Sequence, residues 1–111
     1  MQITDTKIGD VTVLKMAGEI DGSNAPQAQQ RVLEHVGPGA ALLLDMSDVT
    51  YMSSAGLRML LSTYRSVTGA GGRMVLVGLS EDIEDTMSAT GFLSFFACQH
   101  TLDEGLAALN S

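Results

Sequence analysis

The strongest constraint on the fold of this chain is a short, unbroken apolar run, AALLLDM, at residues 40–46. Short runs of this kind are typical of strands that are buried on both faces, and such strands favour parallel pairing. A later segment, RMVLVG, begins at Arg73 and is predicted to be the next strand. The two segments therefore predict a sheet that is at least partly parallel, as in α/β proteins.

The rest of the chain alternates between strand-like and helix-like patterns. A Gly9-Asp10 turn separates two strands that are expected to form a hairpin, and strands and helices alternate after it. The predicted elements are strands 2–7 and 11–17, helix 25–36, strand 40–46, a helix after Ser54, strand 73–78, helix 81–90, a short strand within 92–99 and a helix ending near Asn110. The order β-β-α-β-α-β-α-β-α predicts an α/β fold, with one domain over residues 1–111 and a mixed sheet whose later strands are parallel.

The composition limits the class of partner. The chain has 111 residues, 45% of them hydrophobic, which is enough for one domain with a real core. Thirteen acidic residues against six basic ones give a formal net charge of −7. This charge argues against binding nucleic acid or an anionic membrane surface, and it suits a partner with a basic face.

The cysteine count and the apolar segments bear on location. The single Cys98 cannot form an internal disulfide, so we expect a reducing, cytoplasmic environment. The first ten residues lack the basic and apolar regions of a signal peptide. No apolar run approaches the ~20 residues of a transmembrane helix, so we expect no membrane association.

Most constellations that carry chemistry are missing from the sequence. The only histidines, His35 and His100, have no cysteine or carboxylate at metal-ligand spacing, so we expect solvent-facing histidines and no metal site. Neither a G-x-S-x-G nucleophile motif nor a G-x-x-x-x-G-K-[ST] phosphate loop is present. The GAGG segment follows a helix and precedes a strand, the reverse of a dinucleotide-binding motif, so a helix stop explains it better.

Two adjacent serines, Ser53 and Ser54, stand before a clearly amphipathic helix in the segment YMSSAGLRMLL. A serine in this position is commonly a helix N-cap. The residues alone do not distinguish the two hydroxyls, and either one could cap the helix or carry a regulatory modification. A nucleophilic Ser54 is disfavoured, because the sequence places no histidine or aspartate to activate it.

The wider segment LLLDMSDVTYMSSAGLRMLL, at residues 42–61, resembles the core motif of bacterial anti-sigma factor antagonists, which are stand-alone STAS domain proteins. That motif has an apolar strand, then Asp or Asn, a D-x-S/T element, an aromatic residue and the run [DS]-S-[SA]-G-L. Upstream, GEIDGSNAP is similar to the family's G-E/R-L/I-D loop. Downstream, residues 71–92 resemble its strand, helix and T/S-G-hydrophobic segment. The resemblance covers nearly the whole chain and implies a STAS-like fold.

The resemblance also implies a function. In this family the serine after the [DS] position is phosphorylated, which corresponds to Ser54, whereas many members have Asp in place of Ser53. The unphosphorylated antagonist binds an anti-sigma factor serine kinase and frees the sigma factor. Phosphorylation then separates the pair, and a metal-dependent serine phosphatase resets it. ATP, metal and catalytic base belong to those partners, so the resemblance implies that this chain is not an enzyme and has no cofactor.

The predicted partner-binding patch consists of Glu19, Asp21, Ser53, Ser54 and Arg58. We expect these residues to lie together, because the segments GEIDGSN and DVTYMSS are predicted as loops that leave the same edge of the sheet. An alternative function, also without catalysis, is a STAS module of another assembly, such as a stressosome-like scaffold or a lipid-transport accessory.

Overall fold

The structure is a computed structural model, and it describes residues 1–110. Five strands form one sheet in the order β1-β2-β3-β4-β5. The strands are β1 Gln2–Ile8, β2 Val11–Ile20, β3 Ala41–Met52, β4 Arg73–Val77 and β5 Ala97–Gln99. The helices are α1 Ala25–Leu33, α2 Ser54–Gly69, α3 Glu81–Ala89 and α4 Leu102–Leu109, and a single 3-10 turn covers Leu93–Phe95.

The sheet is mixed, as the sequence predicts. Strands β1 and β2 form an antiparallel hairpin through the Gly9-Asp10 turn, and every later pairing, from β2–β3 to β4–β5, is parallel. Parallel neighbours need a crossover, and a helix precedes each of the strands β3, β4 and β5. The predicted element order is therefore confirmed.

The central strand β3 is buried on both faces and divides the core in two. Leu42 and Leu44 point into a large apolar cluster with side chains from α1, α2 and α3. Leu43, between them, points into a smaller cluster that includes Leu109 of α4. Because successive side chains of a strand alternate in direction, the sheet has α1, α2 and α3 on one face and α4 on the other.

Two strands extend further than the sequence predicts. Residues 18–20 and 48–52, predicted as loops, continue β2 and β3. The parallel ladder reaches Ile20 opposite Met52, and it does so through two register shifts in which β3 supplies extra residues. The loop prediction was wrong there because polar residues and a glycine interrupt the apolar pattern, while backbone pairing to a neighbouring strand still holds them extended.

Helices α2, α3 and α4 begin at residues whose side chains cap them, whereas Asn24, the N-cap of α1, makes no side-chain capping hydrogen bond. Ser80 caps α3, and Thr101 with Glu104 forms a capping box at α4, as their spacing predicts. Helix α1 was predicted to reach residue 36 but ends at Leu33. The next two backbone bonds, from His35 and Val36, span three residues instead of four, so the chain tightens into a turn before the glycines that follow.

Candidate functional site

Ser53 is the N-cap of α2 and is anchored on two sides. Its backbone is extended, and its Oγ accepts a 3.3 Å hydrogen bond from the Gly56 N–H. Its own N–H donates a 2.9 Å hydrogen bond to the carbonyl of Ile20, the last residue of β2. The half-buried Ser53 side chain therefore ties the start of α2 to the ends of two strands.

Ser54 is the first residue of α2, and its environment differs from that of Ser53. The residue is exposed, and its hydroxyl makes no hydrogen bond to any other residue within 1–110. The first backbone N–H groups of a helix have no carbonyl acceptor inside the helix. The surroundings of Ser54 therefore favour negative charge. The Ser53 hydroxyl thus caps the backbone of α2, whereas the Ser54 hydroxyl is exposed to solvent.

The turn from β2 to α1, residues 21–24, is held by its own side chains. The Asp21 Oδ1 atom accepts hydrogen bonds from the Ser23 hydroxyl at 2.6 Å and from the Ser23 N–H at 2.9 Å. Asn24 accepts from the Asp21 N–H at 3.0 Å and donates to the Glu19 carbonyl at 2.9 Å. The bond from the Ser23 hydroxyl, followed by the backbone bond, lowers the pKa of Asp21 below its ordinary value of 3.8.

This turn lies against the start of α2. Glu19 is paired with Tyr51 in the β2–β3 ladder, two residues before the cap of α2. A Cβ placed on Gly22 would lie 3.8 Å from the Ala55 Cβ, which is ordinary van der Waals contact. The two polar segments that the sequence predicts to meet therefore do meet at one edge of the sheet.

Arg58 extends the same surface along α2. It lies one helical turn after Ser54, is exposed and makes no ion pair or hydrogen bond through its side chain within residues 1–110. It borders a shallow depression of about 290 Å³ between α1 and α2. The depression is lined by Gly22, Ala25, Pro26, Gln29, Ala55, Arg58, Met59 and Ser62. Asp21, Ser53, Ser54 and Arg58 thus lie where the β2–α1 turn meets the start of α2, and Glu19 lies at the end of the β2–β3 ladder.

A second exposed feature near the serines is Tyr51, the aromatic residue of the motif at residues 42–61. Its side chain is 53% exposed, and it borders a depression of about 210 Å³ between the end of β3 and α3. The lining residues are Thr50, Tyr51, Met52, Leu57, Asp82, Ile83 and Thr86. The sequence predicts a loop at residues 48–52, so no local signal marks Tyr51 as an exposed strand residue, and its pairing with Glu19 holds it extended.

The structure offers no metal-binding arrangement among residues 1–110. His35 does not face solvent freely, contrary to the prediction, because its Nε2 lies 3.1 Å from the Asp5 carboxylate and its side chain is only 26% exposed. Arg31 is 3.2 Å from the same carboxylate.

No helix in the described part of the chain is long and apolar enough to cross a bilayer.

Comparison with known proteins agrees with this architecture. The family model for the STAS domain matches residues 2–105. The anti-sigma-B factor antagonist of Bacillus subtilis (strain 168) is 35% identical over 78 residues, which cover 70% of this chain and 72% of that protein. The anti-sigma-B factor antagonist of Listeria monocytogenes is 32% identical over 77 residues, which cover 68% of each chain.

Solved structures show the same fold over almost the full length. An anti-sigma factor antagonist from Mycobacterium paratuberculosis superposes with a TM-score of 0.87 at 28% identity, covering 99% of this chain and 94% of that one. The phosphorylated form of the Bacillus cell fate determinant SpoIIAA gives a TM-score of 0.72 at 17% identity, which shows the fold alone, and covers 97% and 99% of the two chains. The chain therefore belongs to the STAS domain family, and its named relatives are anti-sigma factor antagonists.

Proposed function

We propose that this chain is an anti-sigma factor antagonist that works by partner switching and is controlled by phosphorylation of Ser54. In the unphosphorylated state it binds an anti-sigma factor with serine kinase activity and displaces the sigma factor. The kinase transfers phosphate to Ser54, the pair separates, and a metal-dependent serine phosphatase restores the first state. The chain acts in the cytoplasm as substrate and ligand, and its partners supply ATP, metal ion and catalytic base.

The observation that supports Ser54 most directly is the difference between the two hydroxyls. Phosphorylation of Ser53 would place the phosphate on the oxygen that caps α2 and would disturb the hydrogen bond from Gly56. Ser54 is exposed and makes no competing hydrogen bond within residues 1–110. A kinase can therefore reach the Ser54 hydroxyl without first undoing the helix start.

The fold should tolerate a phosphate at this position. A helix N-terminus favours an anion, because its first N–H groups lack partners inside the helix. Arg58 stands four residues after Ser54, the spacing at which side chains on a helix are neighbours. SpoIIAA, which has the same fold, has been solved in both phosphorylated and unphosphorylated forms. The switch therefore need not unfold the domain.

The same phosphate should lower the affinity of the chain for the kinase when it lies in a packed interface. It adds a charge of about −1.5 to −2. At ~5 Å and an effective dielectric constant of ~20, each unit of like charge costs roughly 3 kcal/mol. That energy corresponds to ~100-fold in affinity, which is sufficient to release the kinase.

The test is phosphorylation of three proteins, wild type, Ser54→Ala and Ser53→Ala, by the kinase that the unphosphorylated wild-type chain binds. Radiolabelled ATP and mass spectrometry should place one phosphate on Ser54 in the wild type and in Ser53→Ala. Ser54→Ala should take up none and stay bound. Label on Ser54→Ala but not on Ser53→Ala would assign the switch to the other serine. No labelling of the wild type would favour a STAS module of another assembly.

A further inference from the structure

Helix α2 carries a charge pattern unlike that of the chain as a whole. The chain has thirteen acidic residues and a formal net charge of −7, yet the charged side chains of α2 are Arg58 and Arg65 alone. Lys15, Arg31 and Arg73 are held by partners in the fold, namely Asp48, Asp5 and the Leu109 carbonyl. The side chains of Arg58 and Arg65 make no ion pair or hydrogen bond within residues 1–110, so both guanidinium groups remain available.

The two arginines share one face of the helix. They are seven residues apart, which is two turns and about 10 Å along the axis. Between them lies a shallow surface depression of about 520 Å³, lined by Arg58, Leu61, Ser62, Arg65 and Ser66. Leu61, which lies between them along the helix, is partly exposed. Two unpaired cations on either side of an apolar side chain form a surface that an acidic segment with one apolar residue would complement.

This surface continues the candidate site without a break. Arg58 lines both this depression and the one between α1 and α2 that includes Ala55, next to Ser54. Before Ser54 the charge has the opposite sign, since the Asp21 carboxylate lies in the turn that packs against Ala55. Along the axis of α2, the exposed surface therefore changes from acidic, through Ser54, to basic at Arg65, ~16 Å from the serine by helix rise.

We infer that Arg58 and Arg65 bind an acidic segment of the anti-sigma factor kinase, and that this pairing fixes the direction in which the kinase lies along α2. The inference rests on the proposed function, because it names the partner of that same site. The kinase must reach Ser54, so its contact surface extends over the adjoining helix. Its basic groups face the acidic end, and its acidic groups face the arginines. Docked in the reverse direction, it would meet like charge at both ends.

The test compares the affinity of the unphosphorylated chain for the kinase in wild type, Arg65→Glu and Lys7→Glu. Both variants change the net charge equally, but Lys7 is exposed on the edge strand β1, away from α2. Arg65→Glu should weaken binding about tenfold or more, because reversal replaces attraction with repulsion, and Lys7→Glu should change it less than about twofold. Higher salt should reduce the difference between the variants. An acidic-to-basic exchange on the kinase should restore the affinity of Arg65→Glu.

The outcomes separate the two proposals. If the kinase binds and phosphorylates Ser54 in the wild type, but Arg65→Glu binds as tightly as Lys7→Glu, the docking inference is overturned and the proposed function stands. If the wild-type chain binds no kinase, both fail. Sedimentation of the isolated proteins tests a second copy as the occupant. A wild-type dimer that Arg65→Glu dissociates, with kinase affinity unchanged, would give this surface to self-association and overturn the inference.

Discussion

Gly56 lies directly against Met52, so that a Cβ built on the glycine would come within 2.6 Å of the Met52 Cγ atom. The same Cβ would lie 3.1 Å from the Ile20 carbonyl oxygen, which is the acceptor of the Ser53 N–H bond. The first turn of α2 therefore touches the ends of β2 and β3 at a place where no side chain fits. The position of both serines depends on this close approach.

Replacement of Gly56 by alanine should destabilise the fold by about 1–3 kcal/mol, because the added methyl overpacks a buried contact. Gly69→Ala is the matched control. It lies in the last turn of the same helix, and nothing stands within 4 Å of its Cβ position. There alanine should be neutral or stabilising by up to ~1 kcal/mol. Urea denaturation of both variants measures the difference, and equal stabilities would contradict the tight seating of α2.

Loss of the Ser53 hydroxyl should cost about 1 kcal/mol of stability, because the Gly56 N–H loses its side-chain acceptor. Ser54→Ala should stay within about 0.5 kcal/mol of the wild type, since its hydroxyl makes no hydrogen bond within residues 1–110. Thermal unfolding followed by circular dichroism makes the comparison. A larger loss for Ser54→Ala would mean that the cap has been assigned to the wrong serine.

Reversal of charge at Glu19 should weaken kinase binding and leave the melting temperature nearly unchanged. The residue is exposed at the edge of the site, and its side chain makes no hydrogen bond or ion pair within residues 1–110. Asp21 is a less clean probe, because its carboxylate also holds the turn before α1. Glu34→Lys, an exposed position beyond the end of α1, is the control. Identical affinities for Glu19→Lys and Glu34→Lys would place the partner elsewhere.

The pKa of Asp21 should rise toward its ordinary value of 3.8 in Ser23→Ala, because the hydroxyl bond is the largest cause that lowers it. A lowered pKa means that folding favours the carboxylate. Its stabilising effect is therefore present above pH 3.8 and is lost as the pH falls through the lower, folded-state pKa. Carboxyl NMR titration reports the pKa directly. Ser88→Ala, on the exposed side of α3, should leave the titration unchanged.

Cys98 should react slowly with thiol reagents in the folded protein. Burial, with a smaller effect of Glu84, raises its pKa from 9.0 to about 11, so the thiolate is about 100-fold rarer at pH 8 than in the unfolded chain. Folding favours the thiol, and this contribution to stability is complete below pH 9.0 and lost as the pH rises through about 11. Rates with a disulfide reagent, with and without urea, test the expectation. Equal rates would contradict the burial of the sulfur.

The hydrophobic pattern was sufficient to predict the order of the elements and the α/β class, because each element has its own signal. The apolar run at residues 40–46 lies in the strand that is buried on both faces, and the spacing of Leu57 and Leu60 marks the buried side of α2. Capping residues such as Ser80 mark helix starts within one residue. These signals are local, so one sequence carries them without further information.

The ends of β2 and β3 could not be predicted in the same way. Glu19 and Tyr51 are extended because each pairs with the other across the ladder, and neither local sequence contains that information. The roles of Ser53 and Ser54 likewise depend on which residue is the N-cap, a choice of one position that the sequence leaves open. The sequence therefore did not reveal which distant segments pair in the sheet. It also did not reveal which of the two adjacent serines is the N-cap of α2.

The division of the core by β3 leaves the molecule with two independent outer surfaces. Helix α4 covers the opposite face through Gly105 and Leu109, whereas Ser53, Ser54 and Arg58 belong to α2 and its cap on the other face. A protein or probe held on that face would neither compete with a partner at Ser54 nor sense the phosphate through contact. The domain can thus be tethered or labelled on the α4 face, for example at the exposed Ala107, while the face that carries α2 remains free to exchange partners.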